Sequence, residues 1–224
     1  MNVRRRKQKV RSDRRPPQMT PGKAYIERLL NDDFTLPASL YYDSVFFYSQ
    51  AVEAQASKDI YGTDRYLRAA VYAAFAFLEA DLNQAAFGHA QAHGLVLEPI
   101  TRDILEEKET RIDDKGYIVR ATKYYPLDVR FSFIAQFLSG KEFDRSTELW
   151  SRFQEARRIR DVWTHPKPPF DTWSLDLSAG EKVMRTVRDI WVELSRMMEL
   201  DPPPWMVPFE VALSSVKKKS GSGL

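Results

Sequence analysis

An all-α, up-and-down helical bundle is the fold class this sequence predicts, with four core helices, one extra N-terminal helix and room for one small hairpin. Three observations predict it. Apolar residues recur at helical spacing through five long segments, these segments open and close on capping residues, glycines or prolines, and strand-like character is confined to one short stretch. A chain of 224 residues, 43% of them apolar, is long enough to bury one sizeable core. The expected organisation is a disordered basic arm over residues 1–23, a helical domain over 24–200, and a Pro-rich linker with a basic tail over 201–224.

The arm is polar, basic and interrupted by Pro16, Pro17 and Pro21, and the folded body begins near Ala24. A first helix is expected from about Pro37, a favourable first-turn residue, to about Lys58, with Leu40, Ser44, Phe47, Ala51 and Ala54 on one face. The next starts after Gly62, with Thr63 or Asp64 as its cap, and runs to about Phe87, where Gly88 ends it. Its stripe is Leu67, Val71, Ala74, Leu78, Leu82 and Ala85. From Thr101 to Lys123 the pattern weakens: a short helix rich in Glu106, Glu107 and Glu109 gives way to the turn signal Asp113-Asp114-Lys115-Gly116 and the strand-like Tyr117-Ile118-Val119. Pro126 opens a helix carrying Leu127, Phe131, Ile134 and Leu138, closed by Gly140. Ser146-Thr147-Glu148 caps a helix reaching about Thr164. The last long helix has capping-box spacing from Ser178 to Glu181, carries Val183, Val187, Ile190, Trp191, Leu194 and Met197 on one face, and stops at Pro202, Pro203 and Pro204.

Composition narrows the functional classes. The chain has no cysteine, which excludes disulfides and thiolate metal sites and suits a reducing, cytoplasmic setting. No run has the roughly 20 apolar residues of a membrane span, so a soluble protein is expected. The formal charge of +3 conceals an asymmetry: residues 1–23 carry nine Lys or Arg against Asp13, the tail adds Lys217, Lys218 and Lys219, and the body between them is net −8. Two basic arms therefore flank an acidic body. They suit nucleic-acid capture by counterion release, and equally suit solubilising segments that touch nothing.

The helix from about Glu148 carries the chemistry. At 100° per residue, Leu149, Phe153, Ala156 and Trp163 share one narrow arc, and Arg160 lies in the middle of it, while Arg157 and Arg158 fall to the sides. A guanidinium on a core-facing stripe is costly unless an anion or a water-filled groove receives it. Five residues later, His165 precedes Pro166, which biases it out of the helical region and ends the helix there. The helix dipole favours His⁺ at that end, and imidazole moves protons near neutral pH. An arginine to hold a phosphate and a histidine to move a proton are the minimum for RNA cleavage by the neighbouring 2′-hydroxyl without a metal.

The string Arg160-Asp161-Val162-Trp163-Thr164-His165 resembles the Arg-x4-6-His motif of the HEPN superfamily, set as in that family downstream of an Ala-rich helix with Phe77-Leu78-Glu79-Ala80-Asp81-Leu82-Asn83. The similarity covers roughly residues 40–200. It implies a four-helix bundle that dimerises so that two Arg-His motifs face each other, acting as an endoribonuclease with RNA as substrate and no cofactor or metal. On that carry-over Arg160 neutralises the scissile phosphate, His165 is general base or acid, and Asp161 orients the motif. The chain departs from the commonest pattern in having Asp161 where Asn is usual and Pro166 where Gly is usual. Many relatives are toxins or phage-defence effectors restrained by an antitoxin or regulatory partner.

Tyr72, Ala76, Glu79 and Asn83 fall on one face of the Ala-rich helix, away from its apolar stripe, and make Glu79 and Asn83, with Lys167 beyond the motif, candidate substrate-binding residues. Blander readings stand beside these. Arg160 and His165 suit a salt-bridged arginine and a helix-ending histidine, and a catalytically inactive HEPN-like module would bind RNA, nucleotide or a partner protein instead. His89 and His93 have the spacing of two metal ligands, but no third ligand can be named and a polar helix end is the expected role. Ser139-Gly140-Lys141 lacks the rest of a P-loop. Trp150, Trp163 and Trp191 lie at or beside apolar stripes and are expected in the core, and Trp205 and Phe209 are expected to pack the Pro-rich stretch.

Overall fold

A computed structural model of the protein describes residues 35–164 and 176–214. The expected basic arm, Pro166, His165, Lys167, Trp173 and the Lys-rich tail lie outside those residues. The fold is a helical bundle with one small antiparallel hairpin, in the order α1 (Leu36–Ala56), α2 (Ile60–Ala92), α3 (Pro99–Leu105), β1 (Lys108–Ile112), β2 (Ile118–Thr122), α4 (Leu127–Ser139), α5 (Glu148–Thr164) and α6 (Leu177–Met197).

The central element is α2, whose 33 residues make a rod about 50 Å long at 1.5 Å per residue. It packs against α1, α4, α5 and α6. Every residue of its expected stripe is buried: Leu67, Val71, Ala74, Leu78, Leu82 and Ala85. The ends differ from expectation. Asp59, not Thr63 or Asp64, is the cap, its carboxylate accepting from the Gly62 N–H at 2.9 Å. Gly88 does not end the helix, because the apolar face continues past it through the buried Ala90; the left-handed φ of +59° belongs to Gly94.

The buried face of α1 keeps Ser44, Ala51 and Ala54 of the expected set but is centred differently. Ala38, Tyr41, Val45, Tyr48 and Ala51 are buried, while Leu40 and Phe47 sit at the margin of the core. Two tyrosines can take core positions because their hydroxyls find acceptors. Tyr41 donates to the Val207 carbonyl at 2.6 Å and Tyr48 to Glu181 Oε2 at 2.9 Å. Glu181 thus serves α1 and Arg185, and no capping box forms; Asp176 caps α6 by accepting from the Ser178 N–H.

The short helix α3 ends at Leu105, so Glu106 and Glu107 follow it and Glu109 lies in β1, a correction to the Glu-rich helix expected there. Strand register runs from Lys108 opposite Thr122 to Ile112 opposite Ile118. The turn forms because Asp113 Oδ1 accepts from the Lys115 and Tyr117 N–H groups, each at 2.9 Å, and Gly116 takes φ +83°. Arg120 ties the hairpin to α3 through Asp103 at 2.6 Å and Glu106 at 3.0 Å.

The helix α4 buries Leu127, Phe131, Ile134 and Leu138, as its spacing predicts, and α5 returns antiparallel to it, Phe131 meeting Phe153 and Asp128 meeting Arg157. Trp150, Trp163, Trp191 and Trp205 are all buried. Residues 201–214 pack onto the bundle, with Trp205 edge-on to Phe77 and Phe209 edge-on to Tyr48, so the core extends past residue 200 into the Pro-rich stretch.

Candidate functional site

Helix α5 buries Phe153, Ala156 and Trp163, and Arg160 falls on the same side. Its side chain is only 13% exposed. The guanidinium lies over the ring of Phe75 in α2, 4.8 Å from the centroid. Nη1 donates to Glu79 Oε1 at 3.1 Å, while Nε and Nη2 both donate to Asp161 Oδ1, at 3.0 and 2.8 Å. Burial works against the charge on Arg160, but the hydrogen bond and charge of Asp161, helped by Glu79, outweigh it and raise its pKa. Glu79 goes the other way from an ordinary ion-paired carboxylate. Burial pushes its pKa up, against the pull of Arg160 and Arg130.

Both carboxylate partners remain open to solvent, Glu79 by 41% and Asp161 by 52% of their side chains. They belong to a groove of about 1290 Å³ between α2, α5 and the chain that follows β2. The α2 wall is Tyr72, Phe75, Ala76 and Glu79, so three of the four residues of the expected polar face reach the groove. Asn83 is not among its lining residues; it accepts from Arg130, which also pairs with Glu107 at 3.2 Å. From α5 come Arg157, Arg158 and Gln154, besides Arg160 and Asp161. Arg157 is partly buried and held by Asp128 of α4, whereas Arg158 is exposed and pairs along the helix surface with Glu155.

Sequence periodicity did not reveal Tyr124, which lines the groove from the segment after β2, nor the role of Phe75 beneath the guanidinium. Phe75 lies one turn before Glu79, and an aromatic at that spacing from a polar face was the available signal. Tyr124 has no such signature, because only the folding back of the hairpin brings it to α5. His165 and Lys167 lie outside the described residues, and α5 is described to Thr164.

His89 and His93 lie with ring centroids 4.3 Å apart and planes tilted by 38°, and His93 Nδ1 is 2.9 Å from the His89 carbonyl. Burial and the neighbouring His93 both depress the His89 pKa. Among the described residues, no group of three or more His, Asp or Glu side chains is placed to hold a metal ion, and no helix is long and apolar enough to cross a membrane. No known family model matches this chain, and neither does any curated protein or any solved structure.

Proposed function

We propose that the protein is a metal-independent endoribonuclease of the HEPN type. The observation that carries this reading is Arg160. It sits on the core-facing side of α5 yet opens into a large groove that charged side chains line, and both its carboxylate partners are partly exposed there. In the reaction the 2′-hydroxyl oxygen attacks the adjacent phosphorus and the bond to the 5′-oxygen breaks. A base takes the 2′-proton and an acid supplies a proton to the departing 5′-oxygen, leaving a 2′,3′-cyclic phosphate and a 5′-hydroxyl. Arg160 neutralises the phosphoryl oxygens, Asp161 and Glu79 hold the guanidinium fork, and His165 carries one of the two protons. One histidine cannot be base and acid in a single step, so a homodimer supplies the second. By analogy with the family alone, the setting is a cytoplasmic toxin or defence effector held in check by a partner protein.

A second reading, a catalytically silent module that binds RNA, nucleotide or a protein, is favoured by one observation. The groove's Arg157, Arg158 and Arg160 are matched by Glu79, Glu155 and Asp161 in its lining, and Arg157 is also held by Asp128, so no guanidinium is left unopposed to take up the added charge of a phosphoryl transition state.

Incubating the purified chain with RNA separates the two. The nuclease reading requires fragments with cyclic-phosphate ends, undiminished by chelator, and their loss in Arg160→Ala and in His165→Ala with helix content intact by circular dichroism. Cleavage that dies with chelator and survives the histidine change discards the mechanism; binding without cleavage selects the second reading.

A further inference from the structure

Two large rings stand exposed at the groove that holds Arg160. Tyr72 is 65% and Tyr124 is 71% exposed, and both line that groove. Isolated exposed aromatics are ordinary on a protein surface, but these two come from elements far apart in sequence and meet at one concavity. The backbone beneath each is anchored. Tyr72 projects from the central helix between the buried Val71 and Ala73. Tyr124 is held by its neighbours: the Lys123 N–H donates to the Glu107 carbonyl at 2.8 Å, Lys123 Nζ pairs with Glu109 at 3.0 Å, and the Tyr125 hydroxyl donates to the Lys108 carbonyl at 3.2 Å. Anchored backbone presents each side chain to the groove at a defined place, so a ligand need not order the chain beneath it.

We propose that Tyr124 and Tyr72 form a base-stacking site that receives unpaired nucleobases on either side of the phosphate taken by Arg160. The proposal rests on the RNA reading of this groove and names the form of RNA it takes. Groove size and uncovered ring faces suit a single strand, and the lining charge decides how it would be held. At about 1290 Å³ the groove exceeds the roughly 300–1,000 Å³ of ordinary small-molecule sites, which leaves room for more than one nucleotide. Its lining charges balance, so attraction for phosphates alone does not hold a polyanion, and ring stacking must supply a large share of the binding. Stacking needs an uncovered ring face, which a duplex keeps occupied by neighbouring bases and a single strand offers. Gln154 and Ser151 stand in the same lining and supply polar groups for base edges that stacking would bring in.

The test uses the full chain carrying His165→Ala, so that cleavage does not consume the probe, and a short fluorescein-labelled single-stranded RNA read by anisotropy. Tyr124→Ala weakens binding by about 5- to 100-fold and Tyr124→Phe binds as the parent does, the loss expected for one stacked base. Tyr72→Ala weakens it in the same direction, and annealing the complementary strand weakens it at least as much as either. Binding within twofold of the parent for both alanine variants, or equal affinity for the duplex, overturns the stacking site. The two readings fail separately. Tyrosine-dependent binding by a wild type that never cuts RNA removes the nuclease and keeps the site, whereas cleavage unaffected by either tyrosine removes the site and keeps the nuclease.

Discussion

Glu79 Oε1 accepts from Arg160 Nη1 at 3.1 Å, across 81 residues of chain, and this contact ties the central helix to the helix that ends at the motif. The pair is half in water, with 13% of the arginine side chain and 41% of the glutamate side chain exposed. Its strength therefore falls between that of surface pairs and that of buried ones. A double-mutant cycle of Glu79→Gln and Arg160→Met, measured by urea unfolding, is expected to give a coupling of about 1 kcal/mol that shrinks with added salt. The single change Glu79→Gln is near neutral at pH 7. Burial raises the Glu79 pKa in the folded state, so ionisation opposes folding as pH climbs above the unfolded value of about 4.3, and losing that penalty offsets losing the pair. A coupling near zero would mean that Asp161 alone orients Arg160.

Asp81 is buried in the middle of α2, and neither carboxyl oxygen has a hydrogen-bond partner. Burial pushes its pKa well above the ordinary carboxylate range. The folded chain thus retains a proton that the unfolded chain releases above about pH 3.9, so stability falls as pH rises from there towards the folded pKa. Asp81→Asn, which keeps the shape and cannot ionise, should exceed the parent in stability at pH 7 by about 1–3 kcal/mol, with the gap closing towards pH 3.5. Urea midpoints across pH 3.5–8 check it, and a gap that does not change with pH would show that Asp81 does not titrate as its burial requires.

The parts of this fold that were legible in the sequence are those set by local periodicity. Leu67 to Ala85 on α2 and Val183 to Leu194 on α6 read as stripes because every turn repeats the same side. Helix ends were less legible: Gly88 and Gly94 look alike in sequence, and which one takes a left-handed φ depends on what packs around each. Arg160 was legible as a polar residue on an apolar stripe, and Glu79 as part of a polar face. Tyr124 and the Asp128 partner of Arg157 were not, since both depend on how the hairpin and α4 fold back, and tertiary placement of that kind leaves no periodic trace.

Gly180, in the first turn of α6, touches Leu67 of α2. A Cβ added there would overlap Leu67 Cδ1 and lie 3.1 Å from its Cγ. Leu67 is fully buried, so any shift of its side chain has to be taken up within the core. Alanine gains about 1 kcal/mol over glycine in helix propensity, but overpacking costs about 1–3 kcal/mol, so Gly180→Ala is expected to be destabilising by about 1 kcal/mol. Leu67→Ala alone costs about 2–5 kcal/mol by leaving a cavity. The double variant should be more stable than the sum of the two single losses predicts, because each change relieves the other. Thermal unfolding of the four proteins measures this directly, and strict additivity would mean that the two helices are not in contact here.

The basic N-terminal segment and the tyrosines of the groove should affect RNA binding in ways that salt tells apart. Residues 1–23 carry nine of the chain's Lys and Arg, whereas the groove lining is balanced in charge. Phosphate contacts release counterions and give log affinity a slope of about −0.7 per contact on log salt for single strands. Deleting residues 1–23 is therefore expected to flatten that slope by up to about 6 and to weaken binding most at low salt. Tyr124→Ala is expected to lower affinity by a similar factor at every salt concentration, because stacking displaces no counterions. Anisotropy titrations over a salt series measure both. A slope unchanged by the deletion would assign the basic segment a solubilising role and leave the groove as the whole of the binding surface.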